Sequence, residues 1–455
     1  MSDRHGPTGG GFTRRLGLLD CVFLSVGGMI GSAIFIFPGT TGQLIGPASV
    51  LAWVAAGLLM SAIALTYTEL SLAFPHVGGP AVYPYETFGP RPALRSFASY
   101  LEGVCYCVGW GFGITFSALA IASYAAVIVP GLGSYGRVLP LVAILLSFVV
   151  NVVGVDVTSR TNLVFSALLL AVLVAFIALG LAHASPGNYR PFLTGGPLAF
   201  LAAVQVATVG FGAWTVITAT AGEIKRPRWT IPRAILASLA ITVLLYAGID
   251  LALHGVVPPG AFVQGSAVAS TPLGVAAMAF GIPVFSRFIL PLAAIAAIFT
   301  TMLVGTLSAS RVLYVLGENG TLPAGFASMS ERFDVPWVGV VAITLLAGAF
   351  AAFPNYFFQL VVVSAVLGTG VPYAINILSF IGLRYYRPDI DPGYRAPGGY
   401  ALAVVAFVAL AIAMIGLATT ELAWSIGAVV PISAYFVIRY WRRPDAFSRA
   451  ADLQT

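Results

Sequence analysis

The chain has 455 residues, 59% of them apolar and 8% charged, with a mean hydropathy of +0.96. Soluble domains carry about 25% charged residues, so this composition excludes a water-soluble globular protein and indicates one that crosses a membrane many times. The net charge is +6, Lys225 is the sole lysine, and Cys21, Cys105 and Cys107 all lie in apolar runs, which suggests packing rather than a disulfide framework or a zinc site.

Residues 1–13 are polar and Gly-rich, without the basic-then-apolar pattern of a cleaved signal, so the first span is expected to be a retained helix. That span, about 16–45, contains Gly27-Gly28-Met29-Ile30-Gly31-Ser32-Ala33. Glycine costs roughly 1 kcal/mol relative to alanine in a helix. In hydrocarbon, backbone can open only where protein or a water-filled cavity satisfies it. The run reads as a helix broken at its midpoint, whose freed N–H and C=O groups can grip a small zwitterion. A glycine face packed closely on a neighbouring helix is the alternative.

Twelve apolar segments follow one another, at about 16–45, 48–74, 97–129, 138–154, 161–183, 198–221, 232–256, 284–316, 337–353, 357–383, 399–419 and 422–440. With the N-terminus inside, every Lys and Arg except Arg137, Arg190 and Arg287 lies on or near the inner side, Arg443 among them. This is the positive-inside asymmetry; it predicts both termini in the cytoplasm and an even number of spans. Trp53, Trp110, Trp337, Trp424 and Trp441 read as packing or interfacial anchors.

The sixth segment repeats the mid-span glycines of the first, in Val209-Gly210-Phe211-Gly212-Ala213-Trp214-Thr215. Interrupted helices at matching places in two five-span halves point to an inverted-repeat transporter with a site at mid-membrane. The recurrence favours a binding role for the glycines over packing.

Five blocks carry a family likeness: Gly28-Met29-Ile30-Gly31-Ser32-Ala33-Ile34-Phe35; Tyr67-Thr68-Glu69-Leu70 with Pro75, Gly78-Gly79 and Tyr83-Pro84-Tyr85; Ala221-Gly222-Glu223-Ile224-Lys225-Arg226-Pro227 with Ile231-Pro232-Arg233-Ala234-Ile235; Ser310-Arg311-Val312-Leu313-Tyr314 with Glu318-Asn319-Gly320 and Leu322-Pro323; and Tyr386-Arg387-Pro388 with Tyr394-Arg395-Ala396-Pro397-Gly398. On these the chain resembles the amino acid–polyamine–organocation (APC) superfamily over nearly its whole length. The resemblance implies an all-α polytopic membrane protein of twelve transmembrane helices. Its core would be a five-plus-five inverted repeat (LeuT-type) with helices 1 and 6 broken, followed by two C-terminal helices. Accordingly 1–15 is expected to be a cytoplasmic tail, 16–197 the first repeat, 198–383 the second, 384–398 a basic cytoplasmic loop, 399–440 the last two helices and 441–455 a second tail.

Transport of amino acids or related amines by alternating access is the activity so implied. The substrate carboxylate would meet backbone at Ile30, Gly31, Ser32 and Ala33, and its amino group the carbonyls of Val209, Gly210 and Gly212. Phe211 and Trp214 would shape the side-chain pocket. The end of a half-helix contributes roughly 0.3–1 kcal/mol to an anion at exposed sites. Three positions depart from the family pattern. Ala33 stands where a third glycine is usual. Thr215 stands where relatives often have an acidic residue or Asn, which argues against a cationic substrate. Leu168 or Leu169 stands where some proton-coupled relatives carry a lysine.

H⁺ is favoured over Na⁺ as the coupling ion, with exchange open as well. Thr300 and Thr301 could join first-helix carbonyls around Na⁺, since oxygen ligands suit hard cations; hydroxyls bonded back to their own helix are the alternative. Glu102 and Asp250 are intramembrane acids, suited to proton coupling, but both lie within a few turns of a span end, in reach of headgroups or water. Glu69 and Glu223 read as inner-gate or scaffold charges rather than substrate ligands, with Arg160, Arg228 or Arg311 as partners, and His183 and His254 as interfacial. Four scattered histidines, no metal box and no clustered acid pair argue against an enzyme. No cofactor, nucleic acid or resident metal is expected, and the cysteine-free loop Pro130–Gly136 argues against a disulfide-linked subunit. The expected protein is a plasma-membrane or inner-membrane permease for small neutral L-amino acids. Remaining alternatives are a non-transporting amino acid sensor, disfavoured by the short tails, or a polyamine or cationic amino acid transporter.

Overall fold

A computed structural model describes residues 13–153, 155–263, 266, 268, 271–352, 366–415 and 419–442. The two tails up to residue 12 and from residue 443, Arg443, residues 357–365 of the tenth segment and the side chain of Trp424 lie outside the described residues. Apart from two isolated β-bridges, Leu16 with Ile224 and Ser330 with Val335, the described secondary structure is helical.

The helices in chain order are α1 (Leu18–Met29), α2 (Ser32–Ile45), α3 (Ser49–Ala73), α4 (Gly79–Thr87), α5 (Pro92–Ile128), α6 (Val138–Val153), α7 (Val155–Ala182), α8 (Pro197–Val209), α9 (Thr215–Ala219), α10 (Pro227–Val256), α11 (Pro272–Met278), α12 (Leu290–Glu318), α13 (Trp337–Ala351), α14 (Val371–Tyr386), α15 (Gly399–Ile415) and α16 (Thr419–Arg442). Proline opens α5, α8, α10 and α11 at the first helical position, where its missing N–H costs nothing and its fixed φ suits the turn. Among the described residues seven stretches are long and apolar enough to cross a membrane, and shorter apolar helices such as α1, α6, α13 and α15 accompany them.

The first and sixth segments each come as two helices. α1 stops at Met29, Ile30 and Gly31 leave helical geometry, and α2 restarts at Ser32. α8 ends at Val209 and α9 begins at Thr215, with a short 3₁₀ turn over Gly212–Trp214 between them. The glycine at the first break is set by close approach. A Cβ on Gly31 would lie 1.6 Å from Thr301 Oγ1 of α12, so no larger residue lets the two backbones meet there.

Long helix α12 is the axis of the packing, lying along α5 and also against α1, α7 and α13. Its crossing with α5 is tight because Gly305 leaves room for the Trp110 ring, which a Cβ there would meet at 2.3 Å. Across the bundle α10 packs on α1, α3 and α7.

On the side rich in arginine, buried charges are paired. Arg311, fully buried, donates through Nε to Glu223 Oε1 at 2.9 Å. Arg384 grips Glu69 with two bonds of 2.9 and 2.7 Å, and the Ala396 N–H adds a third at 2.6 Å. Arg311 is thus the partner of Glu223, while Glu69 takes Arg384, a residue the sequence analysis did not pair with it. Strand-like backbone bonds join the two blocks: Arg15 and Leu16 N–H donate to Glu223 O, and Lys225 N–H donates to Leu16 O at 2.8 Å. Breaking a buried pair from one side leaves an uncompensated charge. Arg311→Ala is therefore expected to cost about 3–5 kcal/mol, visible as a lower melting temperature in detergent, whereas the double change of Arg311 and Glu223 to Met costs less. Equal losses from both would contradict this account of the clamp.

Candidate functional site

A cavity lies where the two breaks face each other. α1 and α2 contribute Gly28, Met29, Ser32, Ala33 and Phe37; the sixth segment contributes Val209, Gly212, Ala213 and Thr215. α5 supplies Tyr106, Gly109, Trp110, Gly113 and Phe116, α12 supplies Thr301, and Gly368 and Thr369 come from the π-helical turn before α14. Because α2 starts at Ser32, the N–H groups of Ser32, Ala33 and Ile34 have no carbonyl one turn back to bond to. Donors at a helix start, with its positive dipole end, form a receptor for a carboxylate.

Tyr246 of α10 braces the two breaks together. Its hydroxyl hydrogen-bonds the Met29 carbonyl oxygen, and the Gly210 carbonyl oxygen lies 2.9 Å away. Two further phenols hold the sixth-segment side. Tyr106 Oη lies 2.9 Å from Thr215 Oγ1 and 2.5 Å from Ser308 Oγ, and Tyr373 Oη reaches Gly212 O at 3.4 Å. Thr215 Oγ1 also donates to Gly212 O at 2.9 Å, and Ser32 Oγ pairs with Ser117 Oγ at 2.9 Å.

Of the residues expected to bind substrate, Ser32, Ala33, Val209, Gly212 and Thr215 line the cavity. Gly31 caps α2 against Thr301, Gly210 holds Tyr246, and Ile30 is buried in the core. Phe211 and Trp214 do not shape the pocket as expected. Phe211 packs on Trp53 and Tyr246, and Trp214 stacks on Tyr373 with Tyr67 edge-on, so both brace the break from behind. The aromatic walls are instead Phe37 stacked on Phe116, centroids 5.3 Å apart, with Tyr106 and Trp110 beside them. Sequence reasoning missed these α5 residues, although the alternating glycines Gly109, Gly111 and Gly113 were a signal. A Cβ on Gly109 would lie 2.1 Å from Gly368 Cα, so the run lets α5 cross the chain before α14.

The coupling residues fall in three places. Thr300 Oγ1 donates to Gly27 O at 2.9 Å or Ala297 O at 2.7 Å, and Thr301 Oγ1 donates to Gly28 O at 3.0 Å. Contact with the first helix and back-bonding to α12 are thus both present. Oxygen donors of this kind suit hard cations in general. The α7 residues against Gly27 are Asn162 and Ser166; Leu169, one turn on from Ser166, is buried, and Leu168 is exposed.

Glu102 and Asp250 reach neither headgroups nor bulk water, contrary to the reading from span ends. Both are fully buried, because other helices pack against α5 and α10 at these positions. Glu102 Oε1 accepts from Asn376 Nδ2 at 3.1 Å, and the same amide donates to Tyr67 Oη at 3.0 Å. Asp250 Oδ1 accepts from Ser49 Oγ at 3.0 Å. His254 is likewise buried rather than interfacial, 3.8 Å from Asp250 and stacked on Phe262, while His183 is exposed. Among the described residues no group of three or more His, Cys, Asp or Glu could hold a metal ion.

A family profile described as amino acid permease matches residues 16–438. The chain belongs to the amino acid permease family, within the APC superfamily. It is 30% identical to the branched-chain amino acid permease BcaP of Lactococcus lactis over 80% of this chain and 81% of that one. The methylthioribose transporter of Bacillus subtilis is 25% identical, with 84% of each chain covered. The cationic amino acid transporter 4 of Mus musculus is 28% identical over 85% of this chain and 62% of its own. These relatives are permeases and transporters rather than enzymes, and the protein is a multi-pass membrane permease.

Gly31 and Gly212 are expected to respond differently to one added methyl. Gly31→Ala drives its Cβ into Thr301 and separates α2 from α12, at about 1–3 kcal/mol for overpacking, and uptake is expected to vanish. Gly212→Ala meets nothing closer than 3.6 Å, so it folds normally and weakens uptake only by narrowing the cavity. Uptake assays on variants matched for membrane expression check this; wild-type uptake by Gly31→Ala would remove the assignment.

Proposed function

We propose that this permease is a secondary transporter of neutral L-amino acids with apolar side chains, working by alternating access in the plasma membrane. The observation that carries this reading is the cavity lining, which holds N–H donors, hydroxyls, glycines and aromatic rings but no acidic or basic side chain among the described residues. The substrate carboxylate takes the N–H groups of Ser32 and Ala33, and its ammonium group takes the Val209 carbonyl and the Thr215 hydroxyl. The side chain lies against Phe37, Phe116 and Trp110, over the space left by Gly109, Gly113 and Gly368. Recognition by fixed backbone groups costs little side-chain entropy. A second positive charge would be buried here without a partner, which is costly; the cationic transporters among the relatives are the competing reading.

In this reading twelve spans form a five-plus-five inverted repeat with two further helices, and both termini lie in the cytoplasm. α1 and α9 belong to the inner half, tied together through Leu16, Glu223 and Lys225, while α2 and α8 belong to the outer half. Protons are favoured over sodium as the coupling ion, because two intramembrane carboxylates are sealed in the bundle. Sodium at Thr300 and Thr301, or plain exchange, is the second choice. An amino acid sensor on the same fold would bind without net movement of substrate.

Proteoliposomes loaded with unlabelled leucine and given external labelled leucine test this. Saturable counterflow is expected, competed by valine and alanine and not by lysine or arginine. Thr215→Asp is expected to lower leucine counterflow by about tenfold, the effect of one lost interaction near 1.4 kcal/mol, and to admit lysine. Equal competition by arginine in the unmodified protein would overturn the neutral-substrate reading, and binding without counterflow would favour a sensor.

A further inference from the structure

The substrate cavity makes no use of a second polar cluster, which sits on the half of the bundle away from the paired arginines. Asp250 and His254, one turn apart on α10, are fully buried, with Oδ2 and Nε2 3.8 Å apart. Asp250 Oδ2 and both ring nitrogens of His254 have no hydrogen-bond partner among the described residues, although polar atoms at this depth normally do. Asp250 Oδ1 accepts from Ser49 Oγ at 3.0 Å, Ser49 Oγ lies 2.7 Å from Thr41 Oγ1, and Thr41 Oγ1 lies 3.1 Å from Phe37 O. The line therefore runs from α10, through the start of α3, to α2, ending on the residue whose ring forms the cavity wall.

We propose that Asp250 and His254 form a proton-binding site that latches α2, so that the proton activity outside controls opening of the outer half. The proposal rests on the transport reading and orientation given above. An ionised Asp250 carboxylate only accepts, so Ser49 must donate to it and turn a lone pair toward Thr41, whose O–H then holds α2 to the chain of bonds. Bonds to a charged acceptor are roughly twice as strong as neutral ones, so the ionised state is the latched one. Binding one proton forms a single O–H bond on Asp250. Once the carboxyl turns this O–H from the His254 side to the Ser49 side, it donates to Ser49, which reverses the chain and leaves Thr41 to bond back to Phe37 O on its own helix. α2 is then held by neutral bonds only.

His254 is placed to pass the proton. Its ring lies on Phe262, in the connection after α10, with centroids 4.6 Å apart, and its Nε2 faces Asp250 Oδ2. Of the neighbouring elements, α2 presents neutral Thr41, α3 neutral Ser49 and the 257–263 connection the Phe262 ring. Tyr189, whose hydroxyl donates to Leu251 O at 2.9 Å, is the further ionisable group that feels Asp250. His183, at the end of α7, is turned to Phe280.

The test measures leucine counterflow against external pH at fixed internal pH, with hydrogen–deuterium exchange of the α2 amides, corrected for intrinsic rates, in the same preparations. Acidification of the unmodified protein is expected to raise both by at least about fivefold, the low end of a typical coupling free energy. Asp250→Asn, whose amide imitates the protonated acid, is expected to show fast α2 exchange at every pH and a flat profile. Ser49→Ala, which leaves the titrating pair intact, is expected to flatten the α2 response too. If α2 exchange in the unmodified protein is independent of pH, or if Asp250→Asn and Ser49→Ala keep the full pH response, the latch is wrong. Absence of counterflow at every pH would strike the transport reading alone, because α2 exchange without substrate still decides the latch.

Discussion

The Tyr246 hydroxyl lies between the carbonyl oxygens of Met29, the last residue of α1, and Gly210, the first residue after α8. Within a membrane an opened backbone persists only if protein satisfies it. The phenol has a single O–H to give to one carbonyl or the other, so it ties the two breaks together and sets their separation. Gly31 against Thr301, Tyr106 on Thr215 and Tyr373 on Gly212 complete the frame. The N–H groups at the start of α2 stay free of intrahelical partners because Ile30 and Gly31 before them are not helical.

That frame also explains why bulky aromatics stand behind the breaks. Around the second break Phe211 packs on Trp53, and Trp214, Tyr67 and Tyr373 pack on one another. Glycines let the backbone approach; the rings fill the volume that irregular backbone leaves, since voids in a packed interior forfeit contacts. Wall and brace are thus made by different aromatics, Phe37, Tyr106, Trp110 and Phe116 for the first and Trp214 and Phe211 for the second. Charge is sorted in the same way. Paired ions, Glu223 with Arg311 and Glu69 with Arg384, lock the arginine-rich side, and acids without a cationic partner of that kind, Glu102 and Asp250, lie deeper.

Much of this was legible in the chain. Apolar length marked the spans, and helix-breaking glycines marked both interruptions, because those signals are local and each has a direct physical cost. The Arg311–Glu223 pair was among the expected partners. What the sequence could not convey depends on helix rotation. Trp214 and Phe211 stand beside the break in the chain, yet their side chains turn away from the cavity. Glu102 and Asp250 look near span ends when counted by residue, but neighbouring helices close over them. Tyr246, in mid-span, carried no local mark that its hydroxyl would reach two backbones far apart in sequence.

Occupancy of the space between the two breaks is the central claim, and substrate protection of a single cysteine addresses it most directly. With Cys21, Cys105 and Cys107 replaced, Ala213→Cys puts one thiol on the cavity wall. Leucine at about ten times its dissociation constant is expected to slow alkylation of that thiol about tenfold, as simple occupancy requires, with arginine giving no protection. Unprotected alkylation in a variant that still transports leucine would contradict the account and move the substrate site elsewhere.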